Sequence, residues 1–130
     1  MSHTMNIKTE LRDMDALKKA CERMGGQFLG HGGHQLYGNI VSGTGLRLPG
    51  WVYPVVVCDN GKSLSYDDYR GSWGNVADIN KLKAFYGVEK AKTEALKKGY
   101  RVYEKFNSES REIELRIQVG GQKGGFGWKK

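Results

Sequence analysis

The sequence predicts an α+β fold, an antiparallel sheet of about five to six strands backed by two helices in the order β-α-β-β-β-α-β-β. Three observations lead there. Ile113, Leu115, Ile117 and Val119 alternate with Glu112, Glu114, Arg116 and Gln118, so a pleated strand sorts apolar and polar side chains onto opposite faces. Met5, Ile7, Thr9 and Leu11 repeat that alternation at the other end of the chain. The two long helical patterns, at 13 to 24 and 75 to 98, supply the cover that one-sided strands need. At 130 residues the chain suffices for one domain, expected over 1–119, with 120–130 as a Gly/Lys/aromatic tail.

Each element has a local cause. Asp13 is placed to cap a helix whose Met14, Leu17, Cys21 and Met24 recur at helical spacing, and Asp15 lies in its first turn. Gly25-Gly26 stops it. Trp51 to Cys58 reads as a strand, with Pro54 confining it to an edge or a bulge. Asp59-Asn60-Gly61-Lys62 predicts a type I′ hairpin turn, and Ser63 to Tyr66 returns as a strand. Asn75 is an N-cap for the second helix, with Gly87 weakening its middle and Gly99 closing it. Tyr100 to Phe106 then pairs, through Asn107-Ser108-Glu109-Ser110, with the strand ending at Val119.

Ser2-His3, Ile7-Lys8-Thr9, Asp13, Leu17, Ala20 and the glycines closing the first helix resemble the opening of a family of small uncharacterised proteins, the conserved chloroplast reading frame type with plastid, cyanobacterial and phage members. Tyr86, Ala91, Leu96 and Gly99-Tyr100 running into Val102 are similar to that family's late helix and following strand. The resemblance spans the first quarter and last half of the chain. It implies an α+β domain and brings no activity with it. The glycine-rich middle departs from the family pattern, so a role housed there need not be shared by its plastid members.

That middle draws the functional expectation. From Gly25 to Cys58 the only formally charged side chain is Arg47, and nine of the 19 glycines fall there. Read as a loop, Ser42-Gly43-Thr44-Gly45-Leu46-Arg47 offers amides, hydroxyls and a guanidinium to an anion, although it matches neither the P-loop nor the dinucleotide fingerprint. Aromatic rings nearby are suited to stack a base. The candidate ligand-binding residues are Ser42, Thr44 and Arg47 for phosphate, Trp51, Tyr69, Trp73 and Trp128 for stacking, and Arg70 and Lys123 for neutralising charge.

Other chemistries find less. His31-Gly-Gly-His34 has a spacing used in zinc sites, but further ligands would have to come from distant Cys21, Cys58, Asp67 or Asp68, so no metal is expected. Asp67-Asp68, the one carboxylate dipeptide, is expected to face water in a turn. No serine lies in a nucleophile elbow and no motif proposes a reaction, so neither cofactor nor catalysis is expected. No apolar run nears the roughly 18 residues that span a bilayer, and no leader opens the chain, which points to the cytoplasm, host cytoplasm if phage-encoded. The two cysteines are expected as free thiols.

The formal charge is +7 and the pI about 9.4, which favours anionic partners. The leading expectation is a non-enzymatic binder of a small anionic, nucleotide-like ligand, with phage members of the resembled family suggesting sequestration of a host-defence signalling nucleotide. The alternative is a sequence-nonspecific nucleic-acid-binding accessory protein using the lysine-rich second helix and the tail. A third is an assembly partner, a homo-oligomer whose exposed aromatics form an interface.

Overall fold

Helix α1, Met14–Arg23, begins and ends where local chemistry dictates. The computed structural model describes residues 4–107 and 112–119. In it the Asp13 side chain accepts a hydrogen bond from the Ala16 N–H at 3.1 Å, satisfying one of the amides a helix start leaves over. At the other end Gly25 turns left-handed (φ 79°), and the Gly26 and Gly25 amides donate to Cys21 O and Glu22 O, both at 3.0 Å. That closes the last turn as a Schellman motif. Ala16, Leu17, Ala20 and Cys21 form the buried stripe.

Strands β1 (Met5–Lys8), β2 (Gln27–Leu36), β3 (Asn39–Arg47), β4 (Val55–Cys58) and β5 (Ser63–Tyr66) make one antiparallel sheet in the order β1-β5-β4-β3-β2. Helix α2, Val76–Lys97, follows, and β6 (Arg101–Asn107) and β7 (Glu112–Gln118) form a second, two-stranded sheet among the described residues. The α+β class and the antiparallel sheet are as the sequence predicts. The middle holds four strands, one more than alternation indicates.

Two compact units divide the chain at Tyr86 and Gly87. In the first, Leu17, Ala20 and Cys21 of α1 pack with Leu46, Val55, Val57, Leu64 and Tyr66 of the sheet and with Ile79, Leu82 and Tyr86 of α2. Two helical segments therefore back one face of the five-stranded sheet. The Tyr86 hydroxyl accepts the Asp13 amide at 2.9 Å, tying the start of α1 to α2. In the second unit, α2 ends in another Schellman motif, with Gly99 at φ 78° and the Tyr100 amide on Ala95 O at 3.0 Å.

Three expectations are corrected. The span from Gln27 to Arg47 is a β-hairpin, not a glycine loop, and Gly43, Thr44, Gly45 and Leu46 are buried in succession, which requires cover on both faces. At two positions of β3, neighbours come too close for a side chain. At Gly45 a Cβ would meet the His34 ring, and at Gly43 it would meet Val56 and the Val57 carbonyl. The second correction concerns Pro54, which stands just before β4. Without a proline inside it, β4 lies between β3 and β5 instead of at an edge. Third, Asp67 is fully buried at the end of β5, not facing water.

Candidate functional site

Two left-handed turns interrupt the first unit. At Asp59–Gly61, Asp59 and Asn60 have φ of 53° and 55°, and the Ser63 hydroxyl donates to Asp59 Oδ2 at 2.9 Å. Asx residues tolerate this region, and this turn joins β4 to β5 as a hairpin should. At Tyr69–Gly71 the residues in the same region are Tyr69 (φ 42°) and Arg70 (φ 56°). A bulky residue there is strained, since its Cβ crowds the backbone. The surroundings that hold it define the candidate site.

Those surroundings are backbone bonds and rings. Asp68 O accepts the Gly71 and Trp73 amides, both at 2.9 Å, and Tyr69 O accepts Ser72 N–H at 3.0 Å. Trp73 O accepts Val52 N–H at 2.9 Å, pinning the segment before β4 to the turn. Trp73 then stands among three tyrosines. Tyr69 stacks on it with centroids 4.6 Å apart and planes 25° apart, Tyr37 tilts against it at 5.2 Å, and Tyr53 meets it edge-on at 5.3 Å. Tyr37 arrives from the two-residue turn between β2 and β3, where Gly38 takes φ 80°. Tyr37 remains 50% exposed and Tyr69 39%, and Arg70 is exposed beside them. The result is a partly open aromatic cluster, with exposed Arg70 next to Tyr69 in the chain.

Tyr69, Arg70 and Trp73 are thus brought together. Trp51 is not a stacking surface. It is 5% exposed, its Nε1 donates to Asp78 Oδ2 at 3.0 Å, Tyr66 meets it edge-on at 5.9 Å, and Gly74 lies flat on its indole, leaving no room for a Cβ. Thr44 is buried with its hydroxyl 3.5 Å from Met14 Sδ, Ser42 is exposed on β3, and Arg47 is exposed at the strand's far end, paired in register with Gln27. Amides engaged in a ladder are not available to cradle phosphate. Lys123 and Trp128 lie outside the described residues. Tyr37 and Tyr53, which the sequence offers only as rings flanking the glycine stretch, join this cluster although they are not among the candidate ligand residues. The signal for Tyr37 was Tyr37-Gly38-Asn39 between Leu36 and Ile40-Val41, a short hairpin turn that presents its first residue outward.

The remaining chemistry is structural. His34 Nε2 lies 3.0 Å from Gly30 O, with the ring laid over Gly45. Among the described residues no three His, Cys, Asp or Glu side chains converge as a metal site would require. Burial, reinforced by Glu22, pushes the Cys21 thiol up to about 11, which keeps it protonated and unreactive at neutral pH. Burial and then the Asp68 carboxylate push the Tyr66 phenol up. On α2, Lys90 pairs with Glu94 at 3.7 Å, and Lys92 with Glu89 at 3.5 Å and with Glu104 of β6 at 3.3 Å, so the lysine-rich helix is partly neutralised by acids of its own and of the following strand. No helix among the described residues is long and apolar enough to cross a membrane. Set against known protein families, curated proteins and solved structures, the chain matches none.

Proposed function

We propose that this chain is a non-enzymatic binding protein for a nucleotide, engaged at the surface formed by Tyr37, Tyr53, Tyr69, Trp73 and Arg70. The observation that carries the reading is Trp73 held among three tyrosines at 4.6 to 5.3 Å, next to an arginine that the chain maintains in left-handed backbone. Strained backbone persists only where the surroundings over-determine it, and it clusters at sites that do something. The open areas of Tyr37 and Tyr69 are suited to stacking a base, worth about 1 to 3 kcal/mol per base in comparable sites. Arg70 can grip a phosphate through two parallel N–H donors.

A ring to stack and a phosphate to pair belong equally to a free nucleotide and to one unit of a single strand. The resemblance to a family with phage members motivates the first source, a small signalling nucleotide of host defence sequestered in the cytoplasm. The net charge of +7 favours the second, a nucleic acid bound without sequence preference. Calorimetry and tryptophan fluorescence with a panel of nucleoside mono-, di- and cyclic phosphates, and with a mixed-sequence single-stranded oligonucleotide, test both. Submillimolar binding that weakens about tenfold or more in Arg70→Ala is expected. Affinity for the oligonucleotide alone, falling steeply with salt, selects the strand. No binding tighter than millimolar to any of them, or indifference to both Arg70→Ala and Trp73→Leu, ends the reading.

A further inference from the structure

A two-stranded ribbon is marginal by itself, because half of its backbone hydrogen-bonding groups point outward and its apolar face is too small to protect. The ribbon of the second unit, β6 with β7, has this problem. Its register places Val102 opposite Ile117 and Phe106 opposite Ile113 on one face, with Leu115 between the two isoleucines on β7. Phe106 is 61% exposed, and Ile113, Leu115 and Ile117 are only half-buried. On the other face Tyr103 lies opposite Arg116 and Lys105 opposite Glu114. Among the described residues β7 has one strand neighbour, so its second edge is open.

The side chains along that edge are arranged symmetrically about Leu115. Ile113 and Ile117 stand two residues to either side, and Glu114 and Arg116, both exposed, stand one to either side with opposite charge. We propose that β7 is a self-complementary dimerisation edge, pairing antiparallel with β7 of a second copy of this chain about a two-fold axis at Leu115. In that register Ile113 faces Ile117 of the other copy. Glu114 faces Arg116, and the symmetry makes the ion pair twice. Any register that keeps the apolar faces continuous must set odd-numbered residues opposite odd-numbered ones, because a one-residue slip moves every side chain to the wrong face. A shift of the axis to Glu114 sets the two glutamates against each other, and a shift to Arg116 does the same to the arginines. Directly opposed like charges are unfavourable and opposed unlike charges favourable, so the axis at Leu115, the one that makes two unlike pairs and no like pair, is selected. Two ribbons become a four-stranded sheet with one enlarged apolar face, an isologous interface of the commonest symmetry.

Charge reversal tests the register directly. Light scattering coupled to size exclusion is expected to give twice the 14.6 kDa chain mass for the full chain, in a concentration-dependent equilibrium. Arg116→Glu opposes glutamate to glutamate and Glu114→Arg opposes arginine to arginine. Each is expected to raise the dimer dissociation constant about tenfold or more. The double variant, and an equimolar mixture of the two single variants, restore the opposed signs and are expected to recover dimer. Circular dichroism of each variant separates lost association from lost folding. A chain that is monomeric at all concentrations overturns the proposal. So does a double variant or mixture as dissociated as the single variants, or a dimer indifferent to either reversal. A monomer whose outward β7 amides are nonetheless protected from hydrogen exchange means that the same chain covers the edge, and this outcome also overturns it.

Discussion

Arg70 joins the two features of the candidate site, strain and positive charge, in one residue. Glycine adopts its φ of 56° without the Cβ clash, so Arg70→Gly should raise stability by about 1 kcal/mol while removing the guanidinium. Urea unfolding beside nucleotide titration checks this. A variant that is more stable yet binds less well separates ligand contact from structural support, which Arg70→Ala alone cannot do. Cys21 allows a pH prediction. Its native proton is held to about pH 11, against 9.0 for an ordinary cysteine. The unfolded chain therefore binds fewer protons than the native one between those values. The contribution is fully present below pH 9 and is lost as pH rises through 11, about 2 to 3 kcal/mol in all. Tyr66, raised as well, acts in the same direction. Urea midpoints measured from about pH 8 to pH 11 should fall less steeply in Cys21→Ala than in the parent. Native thiol titration should likewise find Cys21, at 0% exposure, slow until the protein unfolds.

Elements whose ends are set by neighbours in sequence could be read in advance, and those whose ends are set by neighbours in space could not. Asp13 and Asn75 cap as expected, the latter accepting the Ala77 amide at 2.9 Å, because a cap needs only residues two or three positions away. Asp13→Ala should cost about 1 kcal/mol in thermal or urea unfolding. The hairpin from Asp59 to Gly61 was legible too, but not what it rests on. Gly61 O accepts the Leu11 amide at 2.8 Å, and the Leu11 backbone fills the space a Cβ at Gly61 would need. Gly61→Ala, at φ 93° and against backbone that cannot swing aside, should destabilise by about 2 to 3 kcal/mol. The β2 and β3 strands were hidden because glycine has poor strand propensity and no alternating side chains to reveal a period. In β3, Gly43 answers to Val56 and Val57 and Gly45 to His34, none adjacent in sequence to the glycine it confines.

At the level of the whole molecule, the strands should differ in how tightly they hold their amides. Val55 and Val56 are fully buried and Val57 nearly so, in a strand flanked on both sides, and their amides should exchange only on global unfolding. The outward amides of β6, whose one strand neighbour among the described residues is β7 and which stays at an edge in the proposed dimer, should exchange sooner, as native-state hydrogen exchange can report. The alternation from Ile113 to Val119 correctly announced a one-sided strand, but that strand belongs to this separate ribbon and not to the main sheet. By itself the sequence determined the α+β class, both helices with their caps, the β4–β5 hairpin and the net charge, all of which depend on composition or on short-range spacing. Tertiary structure alone decided that Trp51 is core while Trp73 is half-buried, and that Tyr37 and Tyr53 gather around it. It also decided that Gly30, Gly32, Gly33, Gly43 and Gly45 lie in strands. The reason is that a ring or a glycine has the same local preferences in either setting, and only the distant side chain laid against it determines whether it meets solvent.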